Sequence, residues 1–105
     1  YFNEDRWDTS NSEVDGDRVV RYEKRPAGSP RDAQLAYIDY GAIALRRDVI
    51  AALPEGPADL AAVQRDLARS GKLRALVASE RFHEIGSEAG LRDLEAYLEK
   101  QPADR

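Results

Sequence analysis

Glu23 and Lys24 stand side by side after a β-branched stretch, and this carboxylate–ammonium pair is the first feature of the chain that could do chemistry. A carboxylate can accept hydrogen bonds from two hydroxyl groups, and an ammonium binds a phosphate as a compact point charge. At the end of a strand, two such neighbours can reach one ligand. The competing reading is a pair of solvated surface charges, the ordinary fate of these residue types. Gly41 lies inside a run of apolar and aromatic residues, 35–45, where a missing side chain leaves room for a ligand or another backbone. Asn11, with Asp8 and Ser10, suits a turn or a set of donors to hydroxyl groups, the turn being the simpler reading. Glu84 sits just before Gly86 and the start of a helix, where a strand-end surface acid is the plain alternative to a site role. His83 is the only histidine. A lone histidine invites a general-base role, but here it is read as a structural or surface residue.

The elements that must position these residues follow from turn signals and periodicity. Asp15-Gly16 between Ser12-Glu13-Val14 and Arg18-Val19-Val20-Arg21-Tyr22 predicts a β-hairpin turning on the Asp-Gly pair. Residues 26–30, rich in Pro, Gly and Ser, predict a loop that runs to about Gln34. The nearly continuous apolar run 35–45 predicts a buried central strand. Residues 48–53 predict a short helix stopped by Pro54. Pro57 opens a longer one over 58–70, with Leu60, Val63 and Leu67 on one face and Gly71 at the C-terminal cap. Residues 73–78 and 81–85 read as two further short strands. Ser87 is an N-cap for a last helix that places Leu91, Leu94 and Leu98 on one face. Residues 101–105 read as a frayed tail. The class is α/β, with a mixed sheet of four or five strands, a hairpin and about three helices. So few helices would leave sheet surface uncovered, which predicts a neighbour.

Composition narrows the function classes. The chain has 105 residues, 42% hydrophobic and 34% charged, which suits one small domain. The net charge is −4, and the basic clusters Arg46-Arg47 and 21–25 are short or interrupted by acid. This speaks against a nucleic-acid partner. The absence of cysteine rules out disulfides and thiolate metal sites. No apolar run approaches the roughly 20 residues that span a bilayer, and no signal-peptide pattern opens the chain. A cytoplasmic protein with no membrane partner is therefore expected. The chain opens on Tyr1 and holds no methionine, so a processed or cut start is expected.

Four segments, in order, carry a resemblance. They are Arg6-Trp7-Asp8-Thr9-Ser10-Asn11 running into Val14-Asp15-Gly16, then Arg21-Tyr22-Glu23-Lys24-Arg25, then Tyr37-Ile38-Asp39-Tyr40-Gly41, and finally Arg81-Phe82-His83-Glu84-Ile85-Gly86-Ser87 followed by Glu88-Ala89-Gly90-Leu91. Together, over nearly the whole chain, they resemble the sugar-1-phosphate nucleotidyltransferases, most closely the small bacterial mannose- or heptose-1-phosphate guanylyltransferase-like group. The second segment is similar to the family's Glu-Lys-Pro element, with Arg25 in place of Pro. The fourth is similar to its aromatic-x-Asp-x-Gly-Thr turn, with Glu84 in place of Asp.

The resemblance implies the C-terminal, sugar-phosphate-binding half of a Rossmann-like nucleotidyltransferase fold, as one partial domain over residues 1–105. The complete enzyme would join an NTP and a sugar 1-phosphate into an NDP-sugar and pyrophosphate, with Mg2+. It implies Glu23 and Asn11 for sugar hydroxyls, Lys24 for the phosphate, Gly41 for pocket room and Glu84 as a magnesium ligand. It assigns no catalytic residue within this chain. The sugar phosphate is already anionic and attacks the α-phosphate directly, so alignment and charge do the work and His83 is not needed. The family's Gly-rich loop with its following Arg, its later Lys-Pro and its upstream magnesium Asp have no counterpart here. The chain alone is therefore expected to be inactive, with the N-terminal half of the same fold or a second copy as its partner. The alternative is a non-catalytic α/β binding or assembly module derived from that fold.

Overall fold

The computed structural model of the chain describes residues 1–103. It is a mixed α/β arrangement of one antiparallel hairpin and three helices: β1 (Ser12–Asp15), β2 (Arg18–Tyr22), α1 (Arg47–Ala51), α2 (Leu60–Arg69) and α3 (Glu88–Glu99).

The hairpin forms, but its turn is one residue on from the Asp-Gly pair. Asp15 still pairs with Arg18, so Gly16 and Asp17 make the loop, and only Gly16 has positive φ, at 60°. Glycine at the first loop position is the pattern of a type II′ turn. A bulge falls between the Glu13–Arg21 and Val14–Val19 pairs, leaving Val20 as the extra residue of β2. In a regular strand Val19 and Tyr22, three apart, would face opposite sides. The bulge restores them to one face, where both pack against Ala61 and Ala68 of α2 and against Leu73.

The sheet itself has two strands, and isolated antiparallel bridges place three further segments beside it. Tyr37 bridges Phe2 on one side and Ser12 on the other, and Arg18 bridges Arg74. The order across the sheet is thus residues 1–3, 36–38, β1, β2 and 73–75. All these pairings are antiparallel, where the sequence suggested a mixed sheet. The expected central strand over 35–45 reduces to 36–38. After Ile38 the Asp39 Oδ1 accepts from the Gly41 N–H at 2.8 Å, and Gly41 takes φ 70°. This side-chain turn diverts the backbone out of the sheet, and residues 42–46 are irregular. The expected strand over 73–78 pairs only at Arg74, because the hairpin ends opposite Ala75. The expected strand over 81–85 is irregular, its side chains being held by α3.

The long helix starts at Leu60 rather than just after Pro57, because Asp59 is its N-cap and accepts from the Ala61 N–H at 2.9 Å. Gly71, at φ 70°, closes it as expected. Lys72 N–H donates to Leu67 O and Gly71 N–H to Ala68 O, the two bonds of a Schellman motif. Its buried face is Ala61, Gln64 and Ala68, while Leu60 is exposed. Small residues let the helix approach Tyr22 closely, and of the expected stripe Leu60 is exposed while Val63 and Leu67 are half-buried. The first helix forms over α1 without a side-chain cap. In α3, Ser87 caps as expected, accepting from the Gly90 N–H, but Leu91 and Leu98 of the expected apolar face are exposed. The expected tail is irregular over 101–103, and residues 104–105 lie outside the described residues. No described helix is long and apolar enough to cross a membrane.

The N-terminal loop is held by polar contacts. Asn3 and Ser10 are fully buried and bonded to each other at 2.9 Å, and Asp5 accepts from the Ser10 N–H at 2.7 Å. Arg25 closes this loop against the next. Its guanidinium, 10% exposed, donates to Ser10 O at 2.9 Å and Pro30 O at 2.6 Å and reaches Asp5 at 3.3 Å. The residue that stands where the resembled family has Pro therefore sets the path after Lys24 by charge-assisted bonds. Arg25→Ala should lower stability by about 1–3 kcal/mol, since it removes charge-assisted bonds to the buried Ser10 carbonyl and to the half-buried Asp5 carboxylate. The Ser10 N–H first, and Arg25 after it, hold the Asp5 carboxyl below its ordinary value. That contribution is complete above the unfolded-state value and is lost as pH falls through the folded one. Urea unfolding should therefore show a weaker acid dependence in Asp5→Asn than in the wild type.

Candidate functional site

The sheet register brings three of the sequence-derived residues together. Asn11 extends β1 by one residue and Glu23 extends β2 by one, and the Glu23 N–H donates to Asn11 O at 2.8 Å. The side chain of Asn11 turns to the next segment. Its Oδ1 accepts from the Asp39 N–H at 3.2 Å, and its amide donates to Asp39 Oδ2 at 3.3 Å. Asp39 in turn holds the Gly41 N–H and accepts the Tyr22 hydroxyl proton at 3.1 Å. Asn11, Gly41 and Tyr22 thus bond Asp39, a residue that the sequence reading quoted only as part of a motif, and Glu23 joins the group only through its backbone bond to Asn11. The missed signal was the Asp-x-Gly spacing, which is that of a side-chain turn as well as of a strand.

Asp39, Tyr22 and Gly41 lie at one end of a wide groove of about 1690 Å3, while Asn11 and Glu23 stand behind them and do not line it. Tyr22, Asp39, Tyr40 and Gly41 line it near the polar end; Ile43, Leu73 and Val77 line its apolar reach. A Cβ built on Gly41 would meet nothing within 4 Å. Glycine is required there by its positive φ, and the open space beside it comes with that turn.

The charges of the sequence-derived pair are disposed differently from each other. Glu23 is half-buried and sits 3.4 Å from Arg65 of α2. Lys24 is exposed, with no ion pair among the described residues. Burial, and next the Asp39 carboxylate, push the Tyr22 phenol up to about 12.

Glu84 lies apart from this group. Its Oε2 accepts from the Gly86 N–H at 3.0 Å and its Oε1 from the Ser87 hydroxyl at 3.3 Å. The carboxylate is therefore committed to the turn that starts α3, and a Cβ on Gly90 would collide with Glu84 O at 2.3 Å. Among the described residues no group of three or more His, Asp or Glu could hold a metal ion. Glu84 is exposed, and its carboxylate bonds the start of α3. Its neighbourhood is tied to the groove through Tyr40, whose hydroxyl donates to Glu80 O and whose ring packs on Phe82 at 5.0 Å.

His83 packs between α3 and the segment before it, with its Nε2 buried and without a hydrogen-bond partner among the described residues. Its ring is 11% exposed, stacks on Tyr97 at 4.4 Å and sits 3.3 Å from Asp93 Oδ2. Arg81 shares that carboxylate at 2.6 Å and lies 3.5 Å over the Trp7 ring. The Arg81 bond first, with His83 after it, holds the Asp93 carboxyl below its ordinary value. Together these contacts dock α3 to the N-terminal loop through charge and aromatic faces.

Family models, curated proteins and solved structures contain no match to this chain. The assignment of function therefore rests on the residues and their geometry.

The Tyr22–Asp39 contact can be read spectroscopically. Of the five tyrosines, one should deprotonate only near pH 12 in an ultraviolet titration. Asp39→Asn should bring it down, but not to the ordinary value, because burial is the larger cause. A phenol raised in the folded state stabilises fully below its unfolded value of about 10 and loses that stabilisation as pH climbs toward 12. Tyr22→Phe should remove this alkaline loss of stability. Five tyrosines titrating together would contradict the contact.

Proposed function

We propose that this chain is the sugar-phosphate-binding half of a nucleotidyltransferase that makes an NDP-sugar and pyrophosphate from an NTP and a sugar 1-phosphate. The observation that carries the proposal is the polar group at one end of the groove, where Asp39 bonds Asn11, Tyr22 and Gly41. A polyol needs several acceptors and donors at fixed spacing, backed by apolar or aromatic surface. Asp39, Asn11 and the Tyr22 hydroxyl supply the first, and Tyr40 supplies the second. Glu23 adds a carboxylate beside them, and Lys24 follows as an exposed ammonium for the phosphate.

The groove, at about 1690 Å3, exceeds the roughly 300–1,000 Å3 of a closed small-molecule site. An open wall of that size suits a half-site completed by another part of the enzyme. In such a reaction the phosphate oxygen of the sugar attacks the α-phosphorus and pyrophosphate leaves. The residues of this chain bind and aim the nucleophile, and none of them needs to move a proton. Magnesium, if the complete enzyme uses it, requires carboxylates beyond Glu84. Glu84 stands apart from the Asp39 group and bonds its own turn, which suits a second reading, a sugar-phosphate-binding module without metal or catalysis.

Titration of the isotopically labelled chain with a panel of sugar 1-phosphates tests the proposal. The amide signals of Asn11, Glu23, Lys24 and Gly41 should shift, and inorganic phosphate should compete. Lys24→Ala should weaken binding about ten- to a hundredfold, the worth of a charge-assisted contact of ~1.5–3 kcal/mol. Asp39→Asn should weaken sugar phosphates but spare inorganic phosphate. Unmoved amides at all four positions would sink the binding site. Pyrophosphate release by the chain alone with NTP and magnesium, near the ordinary rate of about 1 per second or above, would overturn the half-enzyme reading.

A further inference from the structure

The segment after α2 leaves the sheet in an unusual state. Val19 N–H donates to Leu73 O at 3.0 Å and Ala75 N–H to Asp17 O at 2.8 Å. Leu73 and Ala75 therefore point their backbone groups at β2. By the alternation of a strand, Arg74 and Leu76 point theirs away from it. No hydrogen bond within the described residues engages the N–H or C=O of Arg74 or Leu76. The hairpin ends opposite Ala75, so residues 76–78 run past the sheet with no strand paired beside them. Leu76 is accordingly 97% exposed and Val77 47% exposed. An unpaired, apolar, proline-free sheet edge is a template for another strand.

We propose that this edge pairs with the same edge of a second copy, about a two-fold axis through Leu76. The occupant is specified by charge and by parity. In an antiparallel self-pairing centred on Leu76, residue 74 faces residue 78 of the other copy and residue 72 faces residue 80. Lys72 thus meets Glu80 twice, once at each end, while Arg74 meets the small Ala78. Leu76, Arg74 and Ala78 then occupy hydrogen-bonded positions. These are the positions whose backbone groups already point outward. The two Leu76 residues exchange both central bonds. Their side chains, fully solvated in the single chain, cover each other. A two-fold contact is self-complementary and closes at two copies. This edge also forms part of the wall of the groove, but the pairing uses its backbone groups and not the polar group around Asp39.

Sedimentation velocity on the 105-residue chain over a concentration series tests the proposal, with circular dichroism to confirm that each variant keeps its fold. The wild type should show a reversible monomer–dimer equilibrium. Leu76→Pro removes the central donor from a solvated position and should leave only monomer. Lys72→Glu and Glu80→Lys each turn two attractive pairs into two repulsive ones. Each should weaken dimerisation by about tenfold or more. Mixing the Lys72→Glu chain with the Glu80→Lys chain places opposite charges across the axis again at both ends, and should restore dimer. A wild type that stays monomeric, one that forms open-ended aggregates, or a dimer indifferent to Leu76→Pro and to the charge reversals would overturn the proposal.

Discussion

The two-sided backbone pairing of residues 36–38 is the contact on which the rest of this structure depends. Tyr37 exchanges hydrogen bonds with Ser12 on one side, and Ala36 and Ile38 bond to the N-terminal residues on the other. A segment used on both edges has no freedom of register. It therefore fixes the N-terminal loop, the hairpin and the turn after Ile38 relative to one another. Leu35 and Ile38 are buried as a result. Asp39, one residue past the paired stretch, is placed where Asn11 and Tyr22 can reach it. The polar end of the groove is thus a consequence of sheet register, with side-chain preference acting only at the Asp39 turn.

Apolar cover is the scarce quantity in this chain. The buried apolar residues described are Tyr22, Leu35, Ile38, Ala61 and Ala68, two of them alanines, whereas Ile43, Ile50, Leu76, Ile85 and Leu98 are all well exposed. Burying one large apolar side chain is worth about 1.5–3 kcal/mol, so these exposed residues represent stabilisation that the chain does not realise by itself. One face of the sheet is covered by α2, and the groove opens on apolar surface that no described element covers. The polar staples compensate locally. Arg25 and Asp5 hold the N-terminal loop, and Arg81, Asp93 and Trp7 hold α3, where a larger domain would use packed side chains.

Much of the local architecture was legible in the sequence because its causes are local. Ser87 caps α3, and Gly71 closes α2 because a Schellman motif needs positive φ. The hairpin forms around Gly16, and three helices appear where the apolar periodicity put them. The strand at 35–45 was misread because a continuous apolar run does not say where pairing stops. Here a side-chain turn at Asp39 ends it, and the same spacing is compatible with either outcome. The inward face of α2 was misread because periodicity ranks residues by size and hydropathy. Contact with Tyr22 instead selects the small residues Ala61 and Ala68.

The candidate site divides along the same line. Residue types alone marked Glu23, Lys24 and Gly41, because a carboxylate, an ammonium and a glycine announce their chemistry wherever they stand. Only the tertiary structure decided that Glu23 lies beside Asn11 and that Arg65 stands next to it. It also decided that Asp39 is the hub of the group, and that the Glu84 carboxylate bonds the start of α3. The physical reason is range. Turn propensity, capping and backbone strain act within a few residues and are written in the sequence. Register, desolvation and the sharing of a charge between partners depend on segments tens of residues apart, and they exist only once the sheet has brought those segments together.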